Sequence, residues 1–383
     1  MNTAFAAAMR RASKETRAQN LVEATRLIQA ALAGRPEVAA APDAASGAKA
    51  IGADDARWSQ ATGLSLGDAL RHFKGGLSTP DPFAGSSGAS GSKTRGETSV
   101  PDGARFETRD FVCAAGARSY RLYIPASAPA RPRGLIVMLH GCTQNPDDFA
   151  RGTGMNDVAE TSGFAVAYPS QTRSDNANGC WNWFEPKHQG RGAGEPAILA
   201  GLTQSIVAEF GIDPSQVFVA GLSAGGAMAA VLGETYPELY AAVGVHSGLP
   251  THTAKDVASA FAAMGGGGKI RESQGAPRYP GRTIVFQGGA DKTVHPSNAT
   301  KILDAATPDA ASISTRRVPA GESRHRSAAI TTVADQAGDT IAELWLVEGA
   351  GHAWSGGKAG GSFVDPMGPD ASLEMMRFFT RKS

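Results

Sequence analysis

The sequence predicts an α/β protein with a mostly parallel central sheet of about eight strands flanked by helices. Three observations predict it. From Arg105 onward, short apolar runs alternate with helical patterns. The runs are apolar almost throughout, as strands covered on both faces must be. Finally, Gly221-Leu222-Ser223-Ala224-Gly225 stands between one such run, 216–220, and an Ala/Met/Leu-rich stretch, 224–236. Strand, sharp glycine turn and helix form the setting that holds a serine hydroxyl exposed as a nucleophile.

The strands are expected at 106–113, 120–124, 135–139, 164–168, 217–220, 241–245, 283–287 and 343–347, the first two as an antiparallel hairpin. Helices are expected at 156–161, 196–210, 226–236, 297–305 and 372–379. No internal repeat is present. This region, 105–383, is the expected catalytic domain. Residues 1–35 place Leu21, Ile28 and Leu32 on one face of an amphipathic helix that Gly34 and Pro36 stop. Such a helix docks on the main domain, a partner or a polyester granule, and a membrane-surface role is its second reading. Residues 36–104 are rich in Ala, Gly, Ser and Pro. They read as a flexible, disordered linker, because they hold too little apolar surface to offset chain entropy. A short helix at 66–73 is the one element expected within it.

Composition excludes several functions. The net charge is +1 over 383 residues, with no long basic run, so no nucleic-acid partner is expected. No stretch of 18 apolar residues is present, so no membrane span is expected. The Ala-rich start precedes its arginines and lacks a cleavage site, the wrong order for a secretory signal, which favours the cytoplasm. Three cysteines, Cys113, Cys142 and Cys180, are too few for a disulfide scaffold.

A G-x-S-x-G pattern alone proves little in a chain with 47 glycines, and Gly63-Leu64-Ser65-Leu66-Gly67 repeats it without a preceding strand. An activated serine needs a base, and the base an orienting acid. After Ser223 both should follow later strands, the acid first. Asp291 follows the 283–287 strand and a glycine turn, and His352 follows the 343–347 strand in the same way. Taken alone, Asp291 also suits a simple turn former. His295 lies four residues from Asp291 with no strand of its own, and His246 reads as an interior, hydrogen-bonded histidine. His72, His140, His188, His252 and His325 have no matching context. Acyl transfer also needs oxyanion donors. The N–H of Ala224 is one, and the N–H of Cys142, after the strand ending in His140-Gly141, is the other, with Thr143 as the alternative.

The segments Leu-His-Gly-Cys-Thr-Gln (139–144), Gly-Leu-Ser-Ala-Gly-Gly (221–226), Gly-Gly-Ala-Asp-Lys-Thr-Val-His-Pro (288–296) and Gly-His-Ala-Trp-Ser-Gly-Gly (351–357) resemble the polyhydroxybutyrate (PHB) depolymerase family of α/β-hydrolase esterases, relatives of feruloyl and acetylxylan esterases. Cys-Trp-Asn-Trp-Phe (180–184) fits that family too. The resemblance covers residues 105 to 380. It implies carboxylic-ester hydrolysis through an acyl-enzyme, with Ser223, Asp291 and His352 in the triad positions, no cofactor and no metal. Secreted depolymerases of this kind carry a signal peptide and a polymer-binding domain after the catalytic one. This sequence shows no such signal, and the stretch after His352 is short. These departures count against solid polymer and leave ester hydrolysis standing, on 3-hydroxybutyrate oligomers or polyester segments or on short acyl esters, with a feruloyl- or acetylxylan-type esterase as the alternative. A granule- or partner-tethering protein with a secondary hydrolase core is the alternative of another class.

Trp181, Trp183 and Trp354 either anchor loops or form a substrate platform for apolar or aromatic acyl groups. Cys142 and Cys180 both fall at strand ends on the site side. A disulfide between them would tie the oxyanion loop to the tryptophan loop. Such a bond and the family resemblance point to an oxidising, extracellular setting, opposite to the missing signal.

Overall fold

The computed structural model describes residues 100–267, 281–308, 310–320 and 326–381. All lie within the compact unit Thr94–Ser383. The helix expected in 1–35, nearly all of the linker, the Gly63–Gly67 repeat of the serine pattern, His72 and His325 fall outside the described residues.

The strands are β1 (Arg105–Cys113), β2 (Gly116–Ile124), β3 (Gly134–Leu139), β4 (Phe164–Pro169), β5 (Val217–Leu222), β6 (Ala242–His246), β7 (Arg282–Gly288), β8 (Ser312–Val318), β9 (Ala328–Ala334), β10 (Thr340–Val347), β11 (Trp354–Ser355) and β12 (Val364–Asp365). The helices are α1 (Pro146–Thr153), α2 (Met155–Ser162), α3 (Gly194–Phe210), α4 (Ala224–Thr235), α5 (Val257–Met264), α6 (Ser297–Ala306) and α7 (Ala371–Thr380). Among the described residues the main sheet has ten strands, ordered β1-β2-β4-β3-β5-β6-β7-β10-β9-β8. The six from β4 to β10 run parallel, and an antiparallel pair closes each edge.

All eight expected strands are present. The expectation of about eight falls short by β8 and β9, which form an antiparallel edge hairpin. β8, Ser-Ile-Ser-Thr-Arg-Arg-Val, is exposed on both faces and so carries no apolar run to reveal it. Its alternating β-branched residues were the available signal. Helices α1 and α5 also lie in stretches for which no element was expected.

The sheet's two faces have separate cores because side chains alternate along each strand. Leu135, Val137 and Leu139 of β3 join Val217 and Val219 of β5 on the face covered by α3, α4, α5 and α6. Ile136, Met138, Phe218 and Ala220 point to the other face, beneath α1, α2 and α7. There Phe218 stacks between Phe164 and Phe379, with centroids 5.9 and 4.8 Å away.

The central strands press close together at the β5–α4 turn. A methyl group on Gly225 would lie 2.0 Å from the Leu139 carbonyl oxygen and 2.6 Å from that of His140. Both obstacles are backbone, so neither can swing aside. Gly225→Ala is therefore expected to cost about 3 kcal/mol or more in denaturant unfolding. Gly190→Ala, where a methyl meets open space, should stay within about 0.5 kcal/mol; equal losses at the two positions would contradict this packing. Phe218→Ala should lose about 3–5 kcal/mol by the same measurement, and a loss below about 1 kcal/mol would contradict the stack.

Candidate active site

Because β5, β6, β7 and β10 are parallel neighbours, the residues after them gather at one edge of the sheet, where sheets of this kind place their reactive groups. Ser223 sits between β5 and α4 at φ 58° and ψ −119°. A positive φ is costly for a residue with a Cβ, on the order of 1–3 kcal/mol, and persists only where the surroundings enforce it. They do so here. The Ser223 N–H donates to the His246 carbonyl at 2.8 Å, and its carbonyl accepts from the Ala227 N–H at 2.9 Å.

Asp291 and His352 meet directly. His352 Nδ1 lies 2.8 Å from Asp291 Oδ2. A carboxylate only accepts, so Nδ1 is the donor, and in the neutral ring this tautomer leaves the lone pair on Nε2. The loops are stitched beforehand: Gly289 N–H donates to Val347 O at 2.8 Å, and Ala290 N–H to Ala350 O at 2.9 Å. The backbone N–H groups of Thr293 and Val294 donate to Asp291 Oδ1 at 2.8 and 2.9 Å. Burial pushes the Asp291 carboxyl up, but His352 and these two N–H groups outweigh it and hold the carboxyl below its usual range.

His246 ends β6 between these residues. Its ring is stacked on Phe286 and Trp354, and its Nε2 accepts the Ser355 N–H at 2.9 Å. Burial, helped by the nearby His352, pushes it down to about 3. It is an interior neutral histidine. The rival His295 is exposed, with its Nδ1 held by Ser297 at 2.9 Å.

The loop after β3 lies against Ser223, since a methyl on Gly141 would approach Ser223 Cβ to 3.6 Å. Within it Gly141 N–H donates to Gln144 Oε1 at 2.9 Å, and Thr143 N–H donates to Asn178 O at 2.8 Å. Gln144 N–H turns back to Gly141 O at 3.3 Å. The N–H groups of Cys142 and Ala224 meet no acceptor among the described residues. Thr143, the alternative donor, is thus already engaged. His140, for which the sequence offered no role, positions this loop. Its Nδ1–H donates to Gly141 O at 2.8 Å while its Nε2 accepts the Gln171 N–H at 3.1 Å. In a trans peptide the next N–H points opposite to the carbonyl, so His140 directs Cys142 N–H away from itself. The adjacency of His140 to Gly141-Cys142 was the signal available.

Cys142 and Cys180 are joined by a disulfide, with Cα atoms 4.2 Å apart, and Cys113 is free. The substrate-platform reading of Trp181, Trp183 and Trp354 is corrected. Their exposures are 0%, 6% and 1%, so they anchor loops inside the cores. Trp181 Nε1–H donates to His140 O and Trp354 Nε1–H to Ser372 Oγ, both at 3.1 Å, while Trp183 packs edge-on against Phe184. Buried indoles need such partners for their N–H groups. The tryptophan loop is held from below by buried Glu195. Its carboxylate accepts from Asn182 N–H at 2.7 Å, from Gln171 Nε2 and from Arg118. Among the described residues no group of three or more His, Cys, Asp or Glu side chains could hold a metal ion, and no helix is long and apolar enough to cross a membrane.

Burial also pushes His140 down to about 4, against a usual value near 6.5. The unfolded chain therefore takes up the protons of His140 and His246 as pH falls below about 6.5, while the folded chain takes them up only near 4 and 3. Their stability contribution is complete above that pH and falls below it, by about 1.4 kcal/mol per pH unit for each. His188, also lowered by burial, adds to the effect, whereas His252, raised by its hydrogen bond to Glu234, opposes it. Urea unfolding at pH 7, 5.5 and 4.5 should show falling stability; a constant value would contradict two buried neutral imidazoles.

A family model described as esterase PHB depolymerase matches residues 118–323. Poly(3-hydroxyalkanoate) depolymerase C of Paucimonas lemoignei is 34% identical over 193 residues, covering 48% of this chain and 46% of that protein. Poly(3-hydroxybutyrate) depolymerase of Ralstonia pickettii is 38% identical over 142 residues, 34% of this chain and 29% of that protein. The chain thus spans less than half the length of either relative. Feruloyl esterase B of Neurospora crassa is 29% identical over 197 residues, 47% of this chain and 66% of that protein. Among solved structures, an acetyl xylan esterase from Aspergillus awamori superposes with a TM-score of 0.54 at 20% identity, covering 72% of this chain and 98% of its own. That likeness identifies the fold as the α/β-hydrolase fold. With the family match spanning more than half of its residues, this chain belongs to the esterase PHB depolymerase family.

Proposed function

We propose that this protein is a serine esterase that hydrolyses carboxylic esters through an acyl-enzyme. The observation that carries the reading is the Asp291–His352 hydrogen bond of 2.8 Å at the edge of the sheet where Ser223 is held at positive φ. Ser223 Oγ attacks the ester carbonyl carbon as His352 Nε2 takes its proton. Asp291 keeps the imidazole in the Nδ1–H form and stabilises it once charged. The tetrahedral oxyanion takes hydrogen bonds from the N–H groups of Cys142 and Ala224. Ala224 opens α4, so the helix dipole adds to its pull. Collapse breaks the ester C–O bond, and His352 returns the proton to the departing alcohol. Water then attacks the acyl-enzyme as His352 takes its proton, and collapse releases the acid while His352 returns that proton to Ser223 Oγ.

The substrates proposed are 3-hydroxybutyrate oligomers or polyester, in line with the two depolymerases among the relatives, and short acyl esters. The feruloyl esterase among the relatives supports feruloyl or acetylxylan esters as the second reading. Ser223→Ala should lower kcat on p-nitrophenyl butyrate by at least about 10³-fold and abolish labelling by a fluorophosphonate. Unchanged hydrolysis, or an adduct elsewhere, would overturn the serine mechanism. Rates on hydroxybutyrate oligomers, p-nitrophenyl esters and methyl ferulate then separate the substrates. The first reading expects oligomers to exceed methyl ferulate, and the reverse order would favour the second.

A further inference from the structure

Gln287, the residue before the last in β7, is fully buried, and its side chain points at the acid of the proposed triad. Its Nε2 donates to Asp291 Oδ2 at 3.1 Å, to Val294 O at 3.1 Å and to Gly288 O at 3.3 Å. Two hydrogens thus serve three acceptors. Its Oε1 is buried with no hydrogen-bond partner. Leaving a buried carbonyl unpaired is costly, and a methionine or leucine of similar volume would avoid that cost. Turning the amide over would bring Oε1 against the Asp291 carboxylate, so its orientation is set by charge. The donor end is the part of this residue that the site uses.

The four donors to Asp291 divide in a particular way. Oδ1 takes the Thr293 and Val294 N–H groups, whereas Oδ2 is shared by His352 Nδ1 and Gln287 Nε2. The backbone pair fixes one oxygen only. Gln287 supplies the second point that stops the carboxylate turning about its Cβ–Cγ bond. It also draws on the same oxygen that faces the imidazole. We propose that Gln287 is a positioning residue for ester hydrolysis: its amide aims Asp291 Oδ2 at His352 and moderates the negative charge that this oxygen presents. The inference rests on the triad reading given above.

Two consequences distinguish positioning from filling space. Without the amide, the carboxylate is less constrained, so proton transfer through His352 is slower. Oδ2 also carries more negative charge and holds an imidazolium more strongly, so deprotonating the base requires a higher pH. The test is kcat and KM for p-nitrophenyl butyrate between pH 5 and 9, for the full chain and for Gln287→Met and Gln287→Leu. Rates are normalised to the sites titrated by a fluorophosphonate.

The expected result is a fall in kcat of about tenfold or more with KM within about twofold. The acid limb of kcat/KM should move up by about half a pH unit. Folded variants with wild-type kcat and an unmoved limb would overturn the proposal. So would loss of folding in both variants, which would make Gln287 structural. The triad reading fails separately, if wild-type hydrolysis survives Ser223→Ala.

Discussion

The neutral imidazole of His246 is the joint on which the rest of the site depends. Its backbone carbonyl accepts the Ser223 N–H, while its ring nitrogen accepts the N–H of Ser355 in the loop that carries His352. Phe286 and Trp354 stack against the ring, so it cannot turn to lose the second bond. One buried residue thereby ties the strained serine turn to the histidine loop. The arrangement requires an uncharged ring, because Nε2 must accept. Burial supplies that condition by pushing the imidazole down to about 3.

A second set of bonds fixes the loop after β3. Gln144 holds Gly141 N–H and donates onward to Asp148 and Ser362, beyond the histidine loop. His140 holds Gly141 O, and the Cys142–Cys180 disulfide ties the loop to the tryptophan segment. Trp181 closes the link by donating to His140 O. Within this loop the backbone N–H of Cys142 is left without an acceptor among the described residues. Preorganised donors of this kind need no reorganisation as charge develops, which is why they are effective in acyl transfer.

Much of this was legible from local sequence. Gly221-Leu222-Ser223-Ala224-Gly225 between an apolar strand and a helix announced its turn, because few backbones other than a tight one need glycines at both ends. The strands before Asp291 and His352 were legible too, and the structure pairs the two side chains that follow them. Less was legible where partners come from afar. From sequence, Trp181 and Trp183 read as either loop anchors or a substrate platform. Their burial depends on the His140 carbonyl and on the Phe184 packing, neither of which spacing encodes. β8 was missed because it is exposed on both faces, and β9 because its buried residues, Ala328, Ile330 and Val333, form no continuous apolar run. Gln287 looked like an ordinary strand residue, since its role exists only through a carboxylate on the following turn.

By itself the sequence determined the parallel α/β architecture, the order of serine, acid and histidine along the chain, and the family, because periodicity and glycine turns are local properties. Only the tertiary structure decided which donors stay free, which histidines are held neutral and which aromatic rings are buried. Each of those depends on atoms brought together from separate strands, as when the Ser223 N–H meets the His246 carbonyl. Burial and hydrogen-bond satisfaction are properties of that assembly, and no single segment contains them.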